Sequence, residues 1–401
     1  MMRKLTSWFD AYKEFTEDTE PPAIFHRWAA LTGLAIVLGR RVWLEDGNRK
    51  LYPNLYTVLV GPPGVGKGQA MRELRPFLHS VGVRFSPDKI TAAQLVRSIA
   101  ASTKIVESVG SVTPYLLWAE ELPSFIGESA YESGMLSDLT ALYDCPDVWS
   151  KETSTQGCYA IPGLYACLLA ASTAQGLTDC IPTGTIGQGF ISRLLFACSD
   201  YSTKRVEEKP WTAKQQKLQR ALMEDVQAIA KLHGPMELSE VARVVWSDYY
   251  FNRPAPSDEF DDARLQGYSA RKPMFVRKLA MLISAAESDS RTIEAQHLEQ
   301  AIQLLDDLDI SLIQVYNEIT PSVVVAHYPR VIRVLKKATG MSMQHSDLMR
   351  RFSSSLDATQ FRMVMDGLEQ MKWIEREVVK SGQVNKYTVY YKLLPKKGRT
   401  M

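Results

Sequence analysis

The chain has 401 residues, of which 45% are apolar and 23% charged, and a formal net charge of +2. That length calls for two or three domains, and the balance excludes a disordered chain. The most apolar stretch, Ala29 to Leu38, runs into Arg40 and Arg41 at about half the length of a membrane span, and the N-terminus lacks a signal-peptide layout, so a soluble cytoplasmic protein is expected.

Helical spacing opens the chain (Leu5, Trp8, Phe9, Tyr12, Phe15, then Ile24, Trp28, Leu31, Leu34), with Pro21 and Pro22 dividing it into two helices. From Val42 short apolar runs take over: Val42 to Leu44, Leu55 to Val60, Tyr115 to Ala119, Leu164 to Ala171 and Leu194 to Cys198. Helical stretches such as Thr91 to Ala101 and Leu136 to Tyr143 lie between them, which predicts an α/β fold with a mostly parallel sheet covered on both faces. Helices dominate from Ala213 to about Ile319, and Pro321 marks a break. The last unit reads as three helices (Tyr328 to Lys337, Gln344 to Phe352, Asp357 to Met371) and two strands turning at Ser381-Gly382, the element order of a winged helix. The expected domains are a helical segment over 1–45, an α/β core over 46–205, a helical lid over 206–320 and a winged unit over 321–401.

Cys145, Cys158, Cys167, Cys180 and Cys198 form no C-x-x-C pair, so free thiols are expected and a zinc site is not. Charge is uneven. From Arg330 onward fifteen Lys and Arg stand against six Asp and Glu, a net of +9. Such a tail suits contact with nucleic-acid phosphates, or is simply a solvated surface.

The strand ending at Val60 runs straight into Gly61-Pro62-Pro63-Gly64-Val65-Gly66-Lys67-Gly68, and Gln69 continues into a helix. Strand, glycine-rich loop and helix make a phosphate cradle: glycines turn backbone N–H groups inward, the helix N-terminus favours anions, and Lys67 supplies a point charge. ATP is the expected ligand, with Mg²⁺ as its companion. Gly68 stands where a Ser or Thr would offer Mg²⁺ a hydroxyl, leaving water or Gln69 for that role. Tyr115 to Ala119 ends in Glu120 and Glu121, the first placed to hold Mg²⁺ through water and the second to orient or deprotonate the attacking water. The run to Ala171 ends in Ser172-Thr173, which can sense a γ-phosphate or cap the next helix. Gly187-Gln188-Gly189-Phe190-Ile191-Ser192-Arg193 precedes another strand, and its arginine is exposed there or paired with a surface acid.

This order of parts resembles AAA+ ATPases from about Asn54 to Leu308, and within them the clade of the minichromosome maintenance helicases. Ser192-Arg193-Leu194 looks like the segment whose arginine reaches a neighbouring subunit's ATP, and Phe275-Val276-Arg277-Lys278-Leu279 looks like the lid helix bearing the second sensor arginine. The resemblance gives those roles to Arg193 and Arg277, and the first sensor's to Thr173. A group of uncharacterised phage and mobile-element ATPases is similar in more detail over about the first 200 residues, in Ile24-Phe25-His26-Arg27-Trp28, Leu38-Gly39-Arg40-Arg41-Val42-Trp43, Ser86-Pro87-Asp88-Lys89-Ile90-Thr91 and Leu142-Tyr143-Asp144-Cys145-Pro146-Asp147-Val148-Trp149.

Val148 to Ile161 reads as a hairpin, and the resemblance implies a pore hairpin with Lys151 as its DNA-gripping residue. An ordinary surface hairpin is the alternative. In the last unit Arg351, Gln360 and Arg362 on helices, and Lys380, Gln383, Asn385 and Lys386 with Tyr387, Tyr390 and Tyr391 on the wing, would meet phosphates and bases, unless the unit docks protein. The function expected is an ATP-driven DNA helicase or translocase of phage or mobile-element replication in the host cytoplasm. It would act as a homo-oligomeric ring, most simply a hexamer, on single-stranded or forked DNA. A helicase loader or remodeller, and a weakly hydrolysing regulatory ATP-binding protein, are the rivals.

Overall fold

Ser7 accepts the Asp10 amide at 3.2 Å and starts α1 (Trp8–Thr16). Its inward side chains Trp8, Tyr12 and Phe15 recur at helical spacing and each meets Phe77 edge-on. After Pro22, α2 (Ala23–Leu38) is apolar on nearly every side, the composition of a helix buried all round. The computed structural model describes residues 3–106, 110–127, 134–153, 157–180, 189–202, 204–207, 211–260, 262–319, 323–380 and 387–394. The chain divides into two units, Met1–Val315 and Tyr316–Met401.

The first unit continues through β1 (Val42–Asp46), β2 (Arg49–Leu51), β3 (Tyr56–Val60), α3 (Lys67–Ser80), α4 (Ala92–Ala100), β4 (Lys104–Val106), β5 (Gly110–Ala119), α5 (Leu122–Ile126) and α6 (Met135–Tyr143). The hairpin β6 (Val148–Thr153) and β7 (Gly157–Pro162) comes next, then β8 (Leu164–Ser172), α7 (Ala174–Cys180), β9 (Leu194–Cys198), α8 (Ala213–Ile229), β10 (Gly234–Leu238), α9 (Glu240–Asn252), α10 (Gln266–Glu287), β11 (Thr292–Ile293) and α11 (Ala295–Ile319).

The principal sheet has the order β4-β5-β8-β3-β9. The pairs β5·β8, β8·β3 and β3·β9 are parallel, and only β4 runs antiparallel. Every residue of β3 and β8 is buried, as expected of strands covered on both faces. Helix α2 binds this sheet through Thr32 Oγ1 to Thr57 Oγ1 at 2.7 Å and Tyr165 Oη to the Ala35 carbonyl at 2.7 Å. The acidic strand β5 is therefore one strand removed from β3, with β8 between them. Among the described residues no helix is long and apolar enough to cross a membrane.

Three expectations change. The helical opening is no separate segment: α2 packs on the sheet, and 1–45, 46–205 and most of 206–320 share one unit. Val42 to Leu44 joins not the principal sheet but a second one, order β11-β10-β1-β2. Its strands β10 and β11 lie in the stretch read as mainly helical. In β10 only Met236 is fully buried, and its partner β1 lies far away in sequence, so no local periodicity announces it.

In the second unit α12 (Val323–Lys337), β12 (Ser342–Gln344), α13 (His345–Phe352), α14 (Ala358–Gln370), β13 (Ile374–Lys380) and β14 (Tyr387–Leu393) succeed one another, with an antiparallel sheet β12-β14-β13. Val331, Leu335, Leu348, Phe352, Phe361, Val364 and Leu368 form a core of its own. Asp357 and Gln360 make a reciprocal capping box at the start of α14, so Gln360 is a cap, not a free contact residue. Tyr391 is 5% exposed and belongs to this core, which removes it from base stacking.

Candidate phosphate-binding site

Because β3, β5 and β8 are parallel, the segments leaving their carboxyl ends all emerge at one edge of the sheet. The register pairs Val60 with Ser172 and Ala119 with Ala170, which brings the glycine loop, Ser172-Thr173 and Glu120-Glu121 together at the carboxyl edge. Ligands of open α/β sheets sit at this edge. Gly61 hugs the neighbouring strand: a Cβ there would lie 2.3 Å from the Ser199 carbonyl oxygen. Gly66 has φ +93° and is the residue before α3, a left-handed conformation that only glycine adopts without strain. The first-turn amides of α3 thus open toward the loop as donors without helical partners.

Lys67 leads α3 and donates Nζ to the carbonyls of Gly61 at 2.6 Å and Pro62 at 2.7 Å. Partial burial lowers its pKa. The cation is thereby held across the mouth of the loop formed by Gly61, Pro62, Pro63, Gly64, Val65 and Gly66. Glu121 starts α5 and is exposed, with Ser124 Oγ donating to its Oε2 at 3.2 Å. Thr173 Oγ1 accepts the Gly176 amide at 3.0 Å, so it caps α7, and its hydroxyl proton is left for another acceptor.

Glu120 lies beside the loop and is paired with Arg72. Arg72 Nη1 donates to its Oε2 at 2.8 Å, and Gly68 contributes no oxygen. Among the described residues no group of three or more His, Cys, Asp or Glu could hold a metal ion. Mg²⁺, expected from the sequence, would thus find no hydroxyl at position 68 and one of the two Glu120 oxygens already engaged by Arg72. Arg72 was legible only as the residue one helical turn after Gly68.

The two arginines assigned through resemblance lie at the other end of the sheet. Arg193 precedes Leu194, which pairs with Tyr56 at the start of β3; five strand residues at about 3.3 Å each separate it from the phosphate loop by about 16 Å. It is 11% exposed and clasps Asp144 through Nη2 to Oδ2 at 2.8 Å and to Oδ1 at 2.9 Å, while Nη1 reaches the Gly189 carbonyl at 2.7 Å. Arg277 donates to Asp46 Oδ1 at 2.7 Å and lies over the Trp246 ring. Its neighbour Lys278 is buried, which pushes its pKa down to about 8, and bonds Asn54 just before β3 at 2.7 Å. Lys278 thus fixes this part of α10 at the amino end of β3, opposite the end from which the glycine loop leaves.

Lys151 stands on β6 of the expected hairpin, whose register runs from Val148 with Pro162 to Thr153 with Gly157; the tip, 154–156, lies outside the described residues. Its ammonium pairs with Asp138 of α6, a carboxylate 5% exposed, so it neutralises a buried charge rather than standing ready for DNA. Lys151→Met is expected to lower stability by about 2 kcal/mol, less than a fully buried pair because Lys151 is 36% exposed, and to leave DNA affinity unchanged. Thermal melting beside a DNA titration checks this, and weakened affinity at unchanged stability would restore the DNA-gripping role.

In the second unit Arg351 on α13, Arg362 on α14 and Lys380 at the end of β13 are all exposed. Gly187 and Gln188, the Ser381-Gly382 turn, Gln383, Asn385 and Lys386 lie outside the described residues. The five cysteines are free thiols. In comparisons with protein-family models and with curated proteins, the chain matches no family model and no curated sequence.

Proposed function

We propose that the chain is an ATPase of the AAA+ kind that moves on DNA as an oligomeric ring. The observation that carries this reading is the convergence of Lys67, Glu121 and Thr173 with the glycine loop at one sheet edge, the set needed to hold a triphosphate and direct a water at it. Arg193, beyond reach of its own loop, would serve only a neighbouring copy's nucleotide, and only after leaving Asp144, which makes assembly a condition of hydrolysis. The second unit, three helices with a small antiparallel sheet, is read as a winged helix whose Arg351, Arg362 and Lys380 meet phosphates. The test is ATP turnover with and without forked DNA, followed by strand separation. Turnover that DNA leaves unchanged, without unwinding, removes the translocase reading.

Replacing Arg351, Arg362 and Lys380 together by Ala is expected to leave turnover intact and to flatten the salt dependence of DNA binding. The slope should fall by about 0.7 to 0.9 for each phosphate no longer neutralised. An unchanged slope would place the phosphate-binding surface elsewhere.

A second reading, a regulatory ATP-binding protein that hydrolyses weakly, is favoured by one observation. Glu120 is engaged with Arg72, and Gly68 offers no hydroxyl. ATP bound without measurable turnover, in the presence of DNA, would select it.

A further inference from the structure

Gly68 and Arg72 are four residues apart on α3 and so share a face of the helix. A Cβ added at Gly68 would lie 3.2 Å from Glu120 Oε2 and 3.4 Å from Arg72 Nη1, in close contact with the ends of both side chains. The guanidinium passes over the bare glycine to reach Glu120 at 2.8 Å. A serine or threonine at position 68 would press on the ends of this ion pair. The bare glycine and the arginine lie side by side, and the ion pair sets a permanent cation between α3 and the acidic end of β5.

We propose that Arg72 takes the place of the divalent cation in nucleotide binding, so that this loop binds a nucleoside di- or triphosphate without Mg²⁺. The proposal rests on the phosphate-loop reading above. A guanidinium is always charged and carries five donors in a planar fork suited to phosphate oxygens. Glu120 takes one Nη1 donor and aims the group. Arg72 is 59% exposed, which leaves the rest of the fork open to a ligand. Because an exposed ion pair contributes little by itself, sharing Arg72 with a phosphate costs little. Lys67, five residues earlier at the head of the same helix, supplies the second positive charge. Glu120 is then a positioning residue for Arg72.

The experiment titrates the full chain with fluorescent ATP and ADP analogues, once in Mg²⁺ and once in EDTA. The native protein is expected to bind with dissociation constants that agree within about threefold between the two buffers. Arg72→Gln should weaken binding about tenfold to a hundredfold in EDTA, the worth of a charge-assisted hydrogen bond, while Arg72→Lys, which keeps the charge, recovers most of it. The exposure of Arg72 makes these variants foldable, and melting curves verify that. Gly68→Ser combined with Arg72→Gln should bind only when Mg²⁺ is present. If native binding falls about tenfold or more in EDTA yet is abolished by Lys67→Ala, the phosphate loop stands and the role of Arg72 is overturned. Arg72→Gln binding as tightly as the native chain in EDTA overturns it too. No binding in either buffer removes the phosphate-loop reading and the proposal together.

Discussion

Arg193→Ala is expected to bind ATP nearly as the native chain does and to hydrolyse it about 10³- to 10⁵-fold more slowly, the usual worth of an arginine finger. The reason is positional. Arg193 sits at the amino edge of the sheet, beside Tyr56, whereas the phosphate loop leaves the carboxyl edge after Val60. A cation there serves a nucleotide only across a subunit boundary, and it must first leave Asp144. Mixing Arg193→Ala with Lys67→Ala, each nearly inactive alone, is therefore expected to return part of the activity. Some interfaces then join an intact loop to an intact arginine. Asp144→Asn separates a catalytic role from a stapling one, since it breaks the ion pair and keeps the cation. That variant should melt earlier yet retain turnover. No recovery in demonstrably mixed assemblies, with Arg193→Ala changing only the melting temperature, would leave the Asp144 pair as a structural clasp.

Lys67→Ala and Glu121→Gln are expected to fail at different steps. Lys67 spans the mouth of the loop within 2.7 Å of two of its carbonyls, so its removal should weaken nucleotide binding. Glu121 is exposed at the start of α5, free to meet a water, and its amide replacement should keep binding while turnover falls about 10²- to 10⁴-fold, the range of general base catalysis. Binding isotherms beside single-turnover hydrolysis distinguish the two. Hydrolysis at the native rate by Glu121→Gln would take the base assignment away.

The chemistry near the loop was readable because it is local. Gly61 to Gly68 combine a strand end, positive φ and a helix start within eight residues, and the apolar runs of β3, β5 and β8 mark buried parallel strands by composition alone. Thr91, Ser7 and Asp357 likewise announce helix starts through bonds to residues three places on. Lys151, Arg193 and Arg277 were a different matter. Each is a basic residue whose meaning depends on its partner, and the partners are Asp138, Asp144 and Asp46. None of these lies at a helical or hairpin spacing from its arginine or lysine. Strand β10 escaped for the same reason, since its pairing with β1 joins Gly234 to Val42.

By itself, then, the sequence determined the alternation of strands and helices, the strand, glycine loop and helix at Gly61 to Gly68 and the basic excess of the last unit, all of which are properties of neighbouring residues. The tertiary structure alone decided that β8 lies between β3 and β5. It alone put Arg193 and Arg277 at the edge away from the loop, and set Arg72 against Glu120 over Gly68. The physical reason is that charge pairing acts through space over a few ångströms, while the chain separating Arg72 from Glu120 is 48 residues long, and no pattern of residue types encodes which strands come to lie side by side.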